Sequence, residues 1–241
     1  MKEINAFWEK RNLGVDVKEI EFEEKDELDT LGELLYAIYT PYSVLRIASG
    51  RTDALLLAQE QGYRVIEMSI GLEGKTDHVK LPEIYRRFES TVSVSFATSD
   101  ESDQILKEIK KGEIFETDRI ALDPYYSKSV AGNRYYNWTR DELDKGAKLA
   151  VAYYKNAPAA FGVTCQKNHN CYDAFLGGIF SEMANKGLGF LAIYANMKAI
   201  QMQGGTKIVT RVSSNNQPIL RLHMQYGYMV KDMKYVLIRH Q

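Results

Sequence analysis

Five residues, Asn185-Lys186-Gly187-Leu188-Gly189, stand between an apolar run and a helical pattern, and their types suit the capture of an anion. The helical pattern is Phe190, Ile193, Tyr194, Met197 and Ile200, closing at Gly204-Gly205. A helix that opens at Gly189 leaves the N–H groups of its first turn unpaired and places the positive end of its dipole there. Gly187 and Gly189 remove side chains that would hold an anion off those amides, and Lys186 adds a full positive charge. Such a junction suits a phosphate or pyrophosphate; the competing reading is a tight turn and nothing more. It is not a Gly-x-x-x-x-Gly-Lys-Ser/Thr loop. As a dinucleotide fingerprint it has Ala192 at the third glycine, and no acidic residue ends the next strand at Val212 to bind a ribose.

Other chemistry has less support. Cys165-x-x-x-His169-x-Cys171 lacks the spacing and fourth ligand of a zinc site, so no metal is expected. No His-and-carboxylate pattern accompanies either cysteine for covalent catalysis. The chain has 241 residues, 45% apolar and 26% charged, which is ordinary globular composition with ample room for a core. A net charge of −1 argues against a nucleic-acid partner. Two cysteines fit a reducing compartment, the segment Met1–Val17 lacks the apolar core of a signal peptide, and no run approaches the ~20 residues of a membrane span. The expected setting is cytoplasmic, without membrane contact. Nothing in the pattern sets the oligomeric state, and a homodimer is left open.

The elements that must position the junction follow from periodicity. In the first half, strand patterns at 15–22, 43–49 and 63–72 alternate with helical ones at 26–39 and 54–61, and the last three of these read as a βαβ unit. Residues 73–80 are polar and aperiodic and read as a linker, so the expected division is an α/β domain over 1–90 and a second domain over 91–241. There, a strand at 91–97 leads to helices at 99–112 and 133–145, with 117–128 irregular between them. Strands at 148–154 and 160–166 form a hairpin around Lys155-Asn156-Ala157-Pro158. Then come the strand 172–180, the glycine junction and its helix, the strand 207–212, a short helix at 217–226 and a final strand or strand pair at 228–239. No internal repeat is evident.

This order over 91–241, with the glycine junction and the run Asn216 to Gly227-Tyr228, resembles the GCN5-related N-acetyltransferase (GNAT) superfamily. The loop of that superfamily is usually Gln/Arg-x-x-Gly-x-Gly/Ala; here Ala184 stands at its first position. The resemblance implies an α/β (α+β) fold with a mixed, mostly antiparallel sheet flanked by helices. Within the superfamily the chain is similar to acetyltransferases of TDP-linked amino sugars, a likeness that takes in Phe7-Trp8, Leu13-Gly14-Val15 and Ile47–Leu72.

Activity and site are carried by the same resemblance. It implies acetyl transfer from acetyl-CoA to a primary amine. The pyrophosphate would lie on Lys186, Gly187, Leu188 and Gly189, with Met183, Ala184 and Asn185 also against the cofactor. The pantetheine would run beside the preceding strand at Leu176, Gly177 and Ile179, with Asn216 holding it. A backbone N–H near Leu176 would stabilise the oxyanion. Gly177-Gly178 allows a bulge that splays this strand from its neighbour. The tyrosine that usually protonates the leaving thiolate falls on His223, two helical turns from Asn216; Tyr226 is the alternative acid. A sugar nucleotide needs cations and aromatic faces, which Tyr125, Tyr126, Arg134 and Trp138 supply together with Arg119, Lys128 and Tyr135. An ordinary amphipathic stripe would read the same way. Asp123 and Asp173 are unranked candidates for the base. Two alternatives stay open: a non-catalytic acyl-CoA-binding module, and an acetyltransferase for another small amine.

Overall fold

The computed structural model describes residues 1–241. In the second half, β5 (Val92–Phe96) is followed by α4 (Ser99–Lys111), α5 (Arg119–Leu122) and α6 (Lys128–Asp144). The hairpin strands β6 (Lys148–Tyr154) and β7 (Ala157–Asn168) come next, then β8 (Cys171–Ile179), α7 (Phe190–Met202), β9 (Lys207–Ser213), α8 (Gln217–Gln225) and β10 (Met229–His240). The first half contributes β1 (Lys2–Asn5), α1 (Phe7–Leu13), β2 (Val17–Phe22), α2 (Leu28–Ala37), β3 (Tyr42–Ala48), α3 (Thr52–Glu60) and β4 (Arg64–Lys75). All ten strands join one sheet in the order β1-β2-β3-β10-β4-β9-β8-β7-β6-β5. Only β2–β3 and β8–β9 are parallel pairs, so the expected mixed, mostly antiparallel sheet is what forms.

Several local expectations shift. The helix expected from residue 99 starts there, fixed by a reciprocal capping box between Thr98 and Glu101. The second long helix starts at Lys128, behind Ser127, so Asn133 lies inside it instead of capping it. The hairpin closes on Lys155 and Asn156 alone, both with positive φ (49° and 65°), the geometry of a two-residue turn matched to strand twist. Within the stretch read as irregular, Asp118 caps the single turn of α5. The segment read as a linker is in part strand, because β4 runs to Lys75 and pairs with β9 through Lys75↔Lys207. Around the expected boundary near residue 90 the sheet is continuous, since β4 sits between β10 and β9. β3 and β4 are parallel and joined by α3, so the expected βαβ unit forms, but in split form: β10 lies between the two strands, antiparallel to both.

That last arrangement exposes a repeat the sequence reading did not find. Thr52 and Gln217 open equivalent helices, and Arg64 and Met229 open the strands after them, so β3-α3-β4 and β9-α8-β10 correspond at an offset of 165 residues. Both helices end at a Gly-Tyr pair, Gly62-Tyr63 and Gly227-Tyr228, with glycine φ of 82° and 80°. The strand register obeys the same symmetry. Lys234↔Ser69 lies on a pseudo-two-fold axis, and Met233↔Ile70 is mirrored by Tyr235↔Met68. Each half therefore lends its last strand to the other. What is not repeated is the junction. β2 stays paired with β3 over Val17–Phe22, and the acidic Glu23-Glu24-Lys25-Asp26-Glu27 stands before α2 where the other half has its glycines.

The helix that carries the junction is the most buried in the molecule. Phe190, Leu191, Ala192, Ile193, Ala195, Met197, Ala199 and Ile200 are all buried against β6, β7 and β8. Close approach depends on a glycine pair. Gly162 on β7 faces Gly177 on β8, and a Cβ on Gly162 would sit 2.3 Å from Asn196 Oδ1.

Candidate functional site

At the junction, Gly187 takes φ of +71°, which turns the chain into α7 and which few other residues adopt without strain. Ala184, Asn185, Lys186 and Gly187 are exposed, while Leu188 is buried and anchors the loop. The N–H groups of Gly187, Leu188, Gly189 and Phe190 donate to no backbone or side-chain acceptor. Four amides at the positive end of a 13-residue helix thus have no partner within the protein. Lys186 makes no ion pair; its Nζ lies 3.6 Å from Met183 Sδ. Met183 and Ile179 pack into the apolar group beneath the helix start.

Beside this loop, β8 and β9 part. They pair through Cys171↔Lys207, Tyr172↔Ile208 and Asp173↔Val209, and no further. The splay comes from a bulge, though not at the two glycines. Val163 faces Leu176 and Thr164 faces Ala174, so Phe175 is the extra residue. Gly177 and Gly178 serve packing instead, beneath Asn196 and Phe161. Two carbonyls on the open edge are met by side chains: Thr210 Oγ1 donates to Ala174 O at 2.7 Å, and Asn196 Nδ2 donates to Leu176 O at 3.1 Å. A cavity of ≈ 380 Å³ opens at the gap and continues over the sheet toward the first half. Leu176, Gly177, Asn196, Asn216, His223 and Tyr228 line its near end.

Asn216 caps α8, its Oδ1 accepting from Ile219 N at 3.3 Å, which leaves its side-chain NH₂ unengaged. His223 is buried, 8% exposed, with Nδ1 at 2.8 Å from Ile219 O. Only an Nδ1–H can donate to that carbonyl, so the neutral ring carries its lone pair on Nε2. Burial pulls its pKa down to about 4, against a small opposing effect of the Ile219 bond. Tyr226 is not at the cavity: its hydroxyl donates to Phe190 O at 3.1 Å, joining α8 to α7. Tyr228, which the sequence reading did not single out, meets His223 edge to face, ring centroids 4.8 Å apart.

The far end of the cavity is walled by α5 and α6. Arg134 and Trp138 line it, as do Arg119, Tyr135 and Phe175. Its arginines are tied into an internal ionic network. Arg134 Nε donates to Glu9 at 2.7 Å, Arg119 Nη2 to Glu9 at 2.9 Å and Glu19 at 3.0 Å, and Arg46 to Glu19 at 2.8 Å. Burial pushes the Glu19 carboxyl up, but Arg119 and Arg46 outweigh it and hold the pKa at about 2. Tyr125 and Tyr126 are not cavity residues. Tyr125 stacks on His240 at 3.9 Å and is largely exposed, and Tyr126 packs against Tyr42. Lys128 pairs with Glu116. Asp123 is paired with His240 at 2.8 Å and Asp173 with Lys167 at 3.0 Å, both outside the cavity. The carboxylates that do face it are Glu21, Glu67 and Asp118, and Glu21 and Glu67 have no ion-pair partner. Burial raises the Glu67 pKa, with Asp118 adding to the shift and Ser213 opposing it. Alternation along β2 and β4 marks both as one-face residues, but only the register of the assembled sheet turns that face to the cavity. No group of three His, Cys, Asp or Glu is placed to hold a metal. No helix is long and apolar enough to cross a membrane.

No protein-family model matches the chain, and no curated protein matches it. Solved structures do. A GCN5-related N-acetyltransferase from Kribbella flavida superposes with a TM-score of 0.60 at 16% identity, over 92% of this chain and 80% of that one. A GCN5-related N-acetyltransferase from Sphaerobacter thermophilus gives 0.55 at 15% identity, over 83% and 59%. A tandem GNAT protein from the clavulanic acid biosynthesis pathway gives 0.51 at 14% identity, over 87% and 67%. Identities this low speak for architecture alone. The bulge in β8 opposite β7, its parting from β9, the unpartnered amides at the start of α7 and these superpositions together mean that the chain has the GCN5-related N-acetyltransferase fold.

Proposed function

We propose that this protein is an N-acetyltransferase that moves the acetyl group of acetyl-CoA to a primary amine. The observation that carries the reading is the parting of β8 and β9 onto a cavity lined by unpaired carboxylates, next to a helix whose first-turn amides have no partner within the protein. The diphosphate of the coenzyme fits Lys186 to Phe190, where amides and helix dipole favour negative charge. The pantetheine amides take the place of the missing strand along β8, with the Asn216 side-chain NH₂ as a further donor. The bulge at Phe175 frees a backbone group to face the thioester oxygen, next to Leu176.

An amine is charged in water and must lose a proton before it attacks. Glu67 is the residue we assign to that step: it faces the cavity, makes no ion pair, and burial raises its pKa against the weaker pull of Arg119 and Arg46, which makes it a stronger base than an ordinary carboxylate. For the acceptor we propose an amino sugar carried on a nucleotide, TDP-4-amino-4,6-dideoxygalactose (TDP-fucosamine) being the candidate the sequence resemblance suggests. Trp138 and Phe175, stacked 4.9 Å apart on the cavity wall, support a ring-shaped acceptor. A second reading, a small amine with more than one positive charge, is favoured by the unpaired Glu21 and Glu67. Purified protein is mixed with acetyl-CoA and a panel of TDP-amino sugars, diamines and aminoglycosides, and free thiol is followed. Amine-dependent thiol release is the expected result. Binding of acetyl-CoA by calorimetry without any turnover across the panel would favour a non-catalytic acyl-CoA module.

A further inference from the structure

We infer that the proton donor to the leaving thiolate is Tyr228, the first residue beyond the α8 turn, and neither of the two candidates on or at the end of α8. The inference rests on the acetyl-transfer reading above. Geometry removes the alternatives in turn. Tyr226 spends its hydroxyl proton on Phe190 O, 3.1 Å away, and does not line the cavity. His223 lines it, but its only ring proton in the neutral form is held by Ile219 O at 2.8 Å. The nitrogen left over, Nε2, carries a lone pair and accepts instead of donating.

Tyr228 has what both lack. Its ring is 4% exposed, and it lines the cavity beside His223 and Asn216. Its hydroxyl makes no hydrogen bond, yet it is not among the sealed-off polar atoms without a partner, as those of Tyr42 and Tyr63 are. What surface the residue keeps therefore includes the hydroxyl. The comparison with Tyr63 is informative, because Tyr63 is the same residue of the first repeat and its hydroxyl is enclosed. The repeat that has the splayed strands has the open phenol; the repeat whose strands stay paired has the closed one. Burial raises the Tyr228 pKa, so the phenol is protonated at any working pH.

The step balances without another reactant. The amine nitrogen bonds to the thioester carbon, and the C–S bond of the tetrahedral adduct breaks with its electron pair going to sulfur. Sulfur takes the Tyr228 Oη proton, and the phenolate regains a proton from the nitrogen as the amide forms. His223 meets the Tyr228 ring edge to face, centroids 4.8 Å apart, and so fixes its orientation.

The test compares Tyr228→Phe, Tyr226→Phe and His223→Phe with the unmodified protein, reading kcat, KM and Kd for acetyl-CoA, and the melting temperature. Because the Tyr228 hydroxyl has no partner to lose, Tyr228→Phe is expected to melt within ~2 °C of the parent and to bind acetyl-CoA within about 2-fold. Its kcat should fall by about 100-fold or more, the usual scale of a lost general acid. Tyr226→Phe should keep kcat within about 3-fold, and His223→Phe should lose less than Tyr228→Phe. An active parent whose Tyr228→Phe variant turns over normally, or whose His223→Phe variant is the more damaged, overturns the assignment alone. A parent that binds acetyl-CoA but releases thiol with no amine overturns the acetyl-transfer reading itself, and this inference with it.

Discussion

Thr210→Val tests whether the parting of β8 and β9 is held open by built-in hydrogen bonds. The substitution keeps the shape of the side chain and deletes one donor. Thr210 is 8% exposed, and its hydroxyl meets Ala174 O at 2.7 Å just beyond the last paired residues, Asp173↔Val209. No backbone amide of β9 pairs with β8 at this level to take over. A buried carbonyl stripped of its donor costs about 1–3 kcal/mol. For a chain of this size each kcal/mol moves the midpoint by about 2–4 °C, so the expected fall is ~2–12 °C by scanning calorimetry. Thr210→Ser separates the two parts of the side chain, because it keeps the donor and loses only a methyl, at a cost of about 1 kcal/mol. A Thr210→Val protein as stable as the parent, or a Thr210→Ser protein damaged more than Thr210→Val, would refute the idea that the hydroxyl replaces a strand partner.

Three further outcomes follow from the site. Glu67→Gln should be more stable than the parent at neutral pH and about 100-fold slower. The folded carboxyl titrates above the unfolded one, so the unfolded state holds fewer protons in that window and stability falls as pH rises through it; paired urea titrations and turnover assays check both halves. His223 has the opposite sign. Its pKa of about 4 lies below the usual ~6.5, so stability present above pH ~6.5 is lost as pH falls toward 4, by about 3 kcal/mol in all, and His223→Gln should flatten that slope in denaturant melts at pH 7.5 and 5. Lys186→Glu should leave the melting temperature unchanged, since the side chain is exposed and unpaired, while weakening acetyl-CoA by about 10- to 30-fold in calorimetry. Equal affinity in that variant would separate the loop from the diphosphate.

Local signals carried much of the chain. The junction from Asn185 to Gly189 was legible because it depends on a glycine with positive φ and on the first turn of a helix, both set within a few residues. The same holds for the start of α4 at Ser99 and for the end of α8 at Gly227. Boundaries failed where tertiary contacts override propensity: α6 begins five residues before Asn133, and α1, seven residues long, is held by the buried Glu9 and not by a strong helical pattern. The Tyr125–Trp138 patch looked like one site by composition. Its members diverge because Tyr125 sits in the turn between α5 and α6 and stacks on His240, while Trp138 lies on α6 and faces the cavity.

What the sequence determined by itself was the glycine turn that opens α7 and the order of elements around it, since both are written in glycine positions and short-range periodicity. Only the assembled sheet decided the rest. The bulge fell at Phe175 because β7 and β8 had to keep register on either side of it, and the glycines went to packing beneath Asn196. The repeat, with ends at Gly62-Tyr63 and Gly227-Tyr228, stayed hidden because its two copies exchange last strands and need share only pattern, not residues. Glu67 and Tyr228 line one cavity through that exchange: β4, which carries Glu67, pairs with β10, which Tyr228 directly precedes, so residues 161 positions apart share a wall and no window along the chain contains both.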